Sequence, residues 1–351
     1  MELNNIIFII FLLIISFFVN KYVLLVLNRG KYSLLCDNNF NKPQAFHKEA
    51  TYRIGGISIF CFLTLALTYL YFFKNLFYQE YISFCVLFFF LGLLDDLKVD
   101  IAPKFRLGAM VLILTVVITN NDFYIERTGL EFLNRLLTID IFSLIFLSLC
   151  FLFIINGSNL IDGFNGLLGI HSLIIITILF IINIQNGDIA HSYFLFFTIL
   201  AILIFLIFNF PRASIFLGDS GAYLLGTLIA VAIIKTSISN PLISPFFFCI
   251  LLVYLFFEVF FSFFRKIYQK KSPVLPDKEH LHMLSFIKIS KVFKENKGNY
   301  LNSVFINSIF SLLVLPSIYF ADNSLICKYW FFSLILIYSL IYIRLYRLTK
   351  N

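Results

Sequence analysis

Residues 141–169 read IFSLIFLSLCFLFIINGSNLIDGFNGLLG. The first fifteen carry no charge and are almost wholly apolar. Such a run reads as a membrane span, because about 20 apolar residues in a helix cross the hydrocarbon core. The chain then changes character. Asn156, Asn159, Asp162 and Asn165 recur at every third position, with Gly157, Gly163, Gly166 and Gly169 interleaved. On a helix that spacing makes one polar stripe at the membrane edge, while the glycines also allow a tight loop. Polar groups at membrane depth mark a functional site unless they serve only a seam between helices.

The same alternation of apolar run and polar break extends in both directions. The 351 residues are 60% hydrophobic and only 13% charged, too little charge to coat a soluble domain of this length. The apolar runs are continuous rather than alternating, which predicts helices and not a barrel. Eleven spans are expected, near 5–27, 54–73, 81–97, 107–119, 141–156, 169–185, 191–208, 215–234, 243–264, 300–320 and 328–347. The short fourth and the polar-headed eighth are the weakest, so ten is the alternative count. The first run is too long for a signal-peptide core and lacks a small-residue cleavage site, so it reads as a retained span. The expected fold is an all-α polytopic membrane protein with one integral-membrane domain over residues 1–351. The six cysteines form no C-x-x-C pair and read as free, small apolar side chains.

The formal charge of +8 raises nucleic acid as a partner, but its distribution points to topology. Under the eleven-span count, 21 Lys and Arg fall on one side and 5 on the other. The positive-inside rule then puts the N-terminus outside and the C-terminus in the cytoplasm.

Five polar segments lie on the basic side. HKEATYRIGGISIF, from His47, sets Lys48 and Arg53 before a glycine pair that opens span two, an arrangement suited to phosphate. FLGLLDDLKVDIAPKFRL ends span three with Asp95 and Asp96. Adjacent carboxylates there repel each other and oppose the helix dipole, so they need a cation: a metal, Lys98, Lys104 or Arg106. NGSNLIDGFNGLLG is the stretch quoted above. FNFPRASIFLGDSGAYLLG places Asp219 among glycines at a helix start, where a carboxylate can project beside backbone N–H groups and serve a hard cation such as Mg²⁺. PDKEHLHMLSF, in a long loop over about 265–299, offers His280 and His282. It lacks a zinc partner motif, which favours contact with phosphate over metal. Together the segments supply an inventory for phosphoryl transfer, where catalysis is mostly positioning and charge neutralisation.

These residues resemble a known family, the polyprenyl-phosphate N-acetylhexosamine-1-phosphate transferases, which includes the bacterial initiators of O-antigen, enterobacterial common antigen and teichoic acid synthesis and the phospho-MurNAc-pentapeptide translocase. The likeness runs from about residue 47 to about 284. It rests on R-x-G-G at Arg53, G-x-x-D-D at Asp95 and Asp96, N-x-x-D-G at Asn159–Gly163, F-x-G-D-x-G at Asp219 and H-x-H at His280 and His282. The resemblance implies a cytoplasmic-face enzyme of the bacterial inner membrane. It would pass an N-acetylamino-sugar 1-phosphate from a UDP-sugar to undecaprenyl phosphate and release UMP. It implies Mg²⁺, with Mn²⁺ as a substitute, held by Asp219 with Asp95, Asp96 or Asp162 in support. Asp95, Asp96 and Asp162 take catalytic roles. Lys48, Arg53, Asn156, Asn159, Asn165, His280 and His282 bind substrate. Expected partners are the UDP-sugar, undecaprenyl phosphate, membrane lipid and a second copy in a homodimer, with no nucleic acid. Two positions depart from the pattern: Asn165 stands where a second Asp is common, and Met283 where a further His is common. They favour the polysaccharide-initiating branch over the pentapeptide translocase, which stays as the alternative. An ion-coupled transporter with broken helices is the alternative of another class.

Overall fold

The computed structural model describes residues 3–30, 35–37, 50–99, 101–272, 278–293 and 295–350. Its helices are α1 (Leu3–Gly30), α2 (Gly55–Lys74), α3 (Gln79–Asp96), α4 (Pro103–Asn120), α5 (Glu131–Leu137), α6 (Asp140–Ile161), α7 (Leu167–Gln185), α8 (Ile189–Asn209), α9 (Gly218–Ser239), α10 (Pro245–Tyr268), α11 (Leu281–Phe293), α12 (Glu295–Val314) and α13 (Ser324–Lys350). A 3-10 turn, Leu315–Phe320, continues α12. Three short strands, β1 (Cys36–Asp37), β2 (Thr51–Arg53) and β3 (Ile215–Phe216), make one sheet in that order, antiparallel and then parallel.

Among the described residues, ten helices are long and apolar enough to cross a membrane. The eleventh expected span is α3, which falls short because Glu80, Asp95 and Asp96 all lie within its 18 residues. Every expected span has its helix, and the differences are at the ends. Pro103 at the first turn starts α4 before residue 107, a position where the missing N–H costs nothing. Helix α6 runs on to Ile161 and takes Asn156 and Asn159 into its last turns. Helix α9 starts at Gly218 rather than 215, because Ile215 and Phe216 pair with β2. The expected loop over 265–299 is largely helical: α10 continues to Tyr268, and α11 and the start of α12 occupy most of the rest. Neither α5 nor α11 was expected from hydropathy.

Helix α9 is the axis of the bundle. Of its apolar window 83% is buried, against 17% for α1 and 22% for α4 and α13. It packs on α3 and α6 most extensively, and on α2 and α7. Lipid is as apolar as leucine, so close helix approach in a membrane depends on small residues. Here a Cβ on Gly92 of α3 would meet the Asp219 carbonyl oxygen at 2.5 Å, and one on Gly226 of α9 would meet the Ile155 Cα of α6 at 2.8 Å. Exposed large apolar side chains such as Phe72, Phe73, Phe105 and Leu112 lie on the outer helices α2 and α4, where lipid would cover them.

Candidate active site

Helices α3 and α9 run antiparallel, so the C-terminus of α3 meets the N-terminus of α9. Asp96, 1% exposed, is the joint. Its carboxylate accepts from the Asp219 N–H (2.9 Å), the Ser220 N–H (2.9 Å) and the Ser220 hydroxyl (2.6 Å). It thus caps the first turn of α9 from 123 residues away, filling N–H groups that a helix start leaves unpaired. Gly218 has φ +78°, and a Cβ there would meet the Asp96 carboxylate oxygens at 2.6 and 2.8 Å. Only glycine fits that turn without strain. The N–H groups expected beside Asp219 are therefore already in use.

The other member of the pair, Asp95, accepts from Arg106 Nη1 at 2.8 Å. Arg106, one of the three cations offered by the sequence, sits in the first turn of α4. Arg53, at the end of β2, donates from Nε (3.2 Å) and Nη2 (2.6 Å) to Asp37 of β1, and its Nη1 lies 3.7 Å from Asp96. Sequence reasoning passed over Asp37, which is paired to Arg53 across the sheet. Lys48 lies outside the described residues.

The stretch that opened the sequence reading is helix, cap and loop in turn. Asn156 donates to the Leu152 carbonyl within α6 (2.7 Å), and Asn159 is half-buried in its last turn. Asp162 is the C-cap, and Gly166, with φ +76°, opens α7. Asn165 fastens the loop: its N–H donates to Asn299 Oδ1 (2.8 Å) and its Nδ2 to the Pro211 carbonyl (3.0 Å). Asn209, missed in the sequence, accepts from the Gly166 N–H (2.7 Å) and donates to the Ile215 carbonyl (2.8 Å), tying this loop to the strand before Asp219.

These ties bring Asp162 to Asp219. Asp162 lies just past the helix end, and its carboxyl is pushed up to about 8, first by burial and then by the neighbouring charge of Asp219, with Arg53 opposing. Among the described residues, neither the Asp162 nor the Asp219 side chain has a direct hydrogen bond or ion pair, whereas Asp95 and Asp96 are both engaged. No cluster of three or more His, Cys, Asp and Glu converges as a metal nest among the described residues. Mg²⁺ does not require one, since it takes one or two carboxylates and completes its shell with water and phosphate oxygens. Two unpaired, mutually repelling carboxylates fit that demand.

His280 precedes α11 and His282 lies in its first turn, 1% and 0% exposed, with rings nearly parallel at 5.4 Å. Both Nδ1 atoms face Glu258 of α10, a residue sequence reasoning did not single out. The His282 ring meets Phe164 edge-on at 5.8 Å, and Phe164 is two residues past Asp162. Asp95, Asp96 and Arg53 thus gather at the start of α9, and the His280–His282 pair reaches the Asp162 loop through Phe164.

Residues 78–237 match glycosyl transferase family 4, a stretch that holds Asp95, Asp96, Asn159, Asp162 and Asp219 but not Arg53, His280 or His282. The chain is 29% identical over 245 residues to undecaprenyl-phosphate alpha-N-acetylglucosaminyl 1-phosphate transferase of Thermotoga maritima, covering 70% of this chain and 71% of that one. It is 32% identical over 232 residues to phospho-N-acetylmuramoyl-pentapeptide-transferase of Dictyoglomus turgidum, 64% and 70% respectively. The undecaprenyl-phosphate alpha-N-acetylglucosaminyl 1-phosphate transferase of Escherichia coli (strain K12) is 26% identical over 262 residues, 72% and 69%. With these relatives and with the motif residues assembled at one end of an α-helical membrane bundle, the chain belongs to glycosyl transferase family 4, among the polyprenyl-phosphate sugar-1-phosphate transferases.

Proposed function

We propose that this chain transfers an N-acetylamino-sugar 1-phosphate, of the N-acetylglucosamine type, from a UDP-sugar to undecaprenyl phosphate. Asp219 at the start of α9, with Asp162 acting on it electrostatically and neither side chain engaged in a direct hydrogen bond or ion pair among the described residues, is, in a chain of this family, the observation that carries the reading. An oxygen of the acceptor phosphate forms a bond to the donor's β-phosphorus, and the bond from that phosphorus to the bridging oxygen of UMP breaks. The sugar–oxygen bond stays intact, and the products are a lipid-linked sugar diphosphate and UMP. The acceptor needs little help to ionise, because a phosphate monoester has a second pKa of about 6.

Asp219 and Asp162 would hold Mg²⁺ or Mn²⁺. Once bound, the cation neutralises charge on the donor diphosphate. Asp96 fixes the start of α9 and hence the Asp219 backbone. Asp95 with Arg106, and Arg53 with Asp37, keep the neighbouring charges in place. His280 and His282 are assigned to the donor's diphosphate. The excess of Lys and Arg on the motif side supports a cytoplasmic active face, an external N-terminus and residence in a bacterial inner membrane. The chain is read as one integral-membrane domain that initiates O-antigen or another surface polysaccharide.

The Dictyoglomus relative gives a second reading, with a MurNAc-pentapeptide donor. Met283, buried where the pattern often has a further histidine, argues for the first. The test uses purified protein with undecaprenyl phosphate, Mg²⁺ and a panel of UDP-sugars that includes UDP-MurNAc-pentapeptide. UMP release that requires both an N-acetylamino-sugar nucleotide and the lipid phosphate, and that stops with chelator, is expected. Release only with the pentapeptide donor selects the second reading, and no release from any donor overturns both.

A further inference from the structure

Helix α10 carries one carboxylate in an otherwise apolar stretch, VYLFFEVFFSFF. Glu258 is 2% exposed and sits ten residues before the end of α10, up to about 15 Å along the axis. His280 and His282, beyond the end of α10, lie beside Glu258 at this level. Glu258 Oε2 lies 2.9 Å from His280 Nδ1, and Oε1 accepts from the Leu281 N–H at 3.1 Å. His282 Nδ1 is 3.5 Å from Oε1 and 3.4 Å from the Tyr254 hydroxyl. From the other side, Asn302 Nδ2 donates to the His282 carbonyl (2.8 Å), and Ser285 donates to Asn302 Oδ1 (2.6 Å). One carboxylate thus holds two imidazoles and the first backbone N–H of α11.

We infer that Glu258 is a positioning residue that acts through His280 and His282. It fixes both rings by their Nδ1 atoms, so that Nε2 is the nitrogen each ring can turn to a phosphate. A carboxylate on one ring nitrogen sets the tautomer and the orientation of the ring. Mere attachment of α11 to α10 does not require this arrangement. A buried charge in a membrane span is costly, and apolar residues of similar volume often replace buried ion pairs with no loss of stability. The edge contact between His282 and Phe164 carries the ring position to the Asp162 loop.

This inference rests on the proposed transfer reaction, and the test separates the two. In ¹⁵N-histidine-labelled protein, His280 Nδ1 should carry a proton, and Glu258→Gln should shift its resonance. An unprotonated Nδ1 in the unaltered protein, or an unmoved resonance in the variant, overturns the inference even if no UMP release is found. On turnover, Glu258→Gln and His280→Ala should each lower kcat/KM for the sugar nucleotide about 10–100-fold. The double variant should fall no more than about twofold below the worse single one, because the two act as a unit. Glu258→Asp, which keeps the charge on a shorter arm, should lose less than Glu258→Gln. Losses that multiply, or a folded Glu258→Gln with unchanged kcat/KM, contradict the inference. If Glu258→Gln does not fold, the Nδ1 proton of the unaltered protein decides alone.

Discussion

The two ends of the α3–α9 pair are built from the same helices to opposite rules. At the far end the two helices are joined by an ordinary ion pair and hydrogen bonding. Lys235 of α9 donates to Glu80 of α3 at 2.8 Å, both about a quarter exposed, and the Tyr81 hydroxyl meets His191 Nε2 at 2.6 Å. At the near end the α9 backbone is pressed against α3 at Gly92 and against α2 at Gly56 and Gly221, and Gly218 leaves room for the Asp96 carboxylate. One aspartate there serves as a cap and another binds an arginine, and among the described residues the Asp162 and Asp219 side chains have no direct hydrogen bond or ion pair. A pair that only needed to hold α3 to α9 would look like the far end. Excess carboxylate beside glycine-thinned backbone is the arrangement on which the proposed site for a charged ligand rests.

The comparison can be broken in several places. The largest effect on folding should come from Asp96→Ala, which leaves two N–H groups and a hydroxyl of α9 unpaired and strips Arg53 of a neighbour. A loss of about 3–5 kcal/mol is expected in denaturant titration of the detergent-solubilised protein. Gly218→Ala should cost about 1–2 kcal/mol for the left-handed backbone, with a further loss from contact with Asp96, and should lower turnover because Asp219 is displaced. Asp162 sharpens the contrast through pH. With its carboxyl held up near 8, the group is protonated below that value in the metal-free protein and must release the proton to bind a cation. Mg²⁺ affinity, read by calorimetry, should therefore rise as pH increases from 6 to 8, by up to about tenfold per unit. Asp162→Asn should flatten that dependence. The smallest effect belongs to the far end: Lys235→Met removes a partly exposed pair and should change stability by about 1 kcal/mol or less, with turnover within about twofold.

Much of this was legible in the sequence. Hydropathy located every long helix, because each must present some twenty apolar residues to lipid. Its two weakest spans, the short fourth and the polar-headed eighth, are α4 and α9, while α3, with Glu80, Asp95 and Asp96, falls short of the apolarity of the other ten. The five motifs were visible, and so was Arg106 as a candidate counter-ion for Asp95. The division of labour within Asp95 and Asp96 was not, because which of the two caps α9 depends on the register of helices 123 residues apart. Asn165 read as a substrate contact and is bonded to Asn299 and Pro211, a loop fastening that sequence spacing does not encode. Glu258 was within reach. A lone acid in a 24-residue apolar helix is a functional signal in its own right, but its histidine partners lie past a turn whose return path the sequence does not specify.

The central claim is that the near end of α3–α9 is the reaction site and the far end only a fastening. The most direct measurement is UMP release from UDP-N-acetylglucosamine and undecaprenyl phosphate by Asp219→Asn and Lys235→Met, prepared in parallel and matched for folded content. The account predicts a loss on the order of 10³-fold for Asp219→Asn and near-normal release for Lys235→Met. Near-normal release by Asp219→Asn would contradict it.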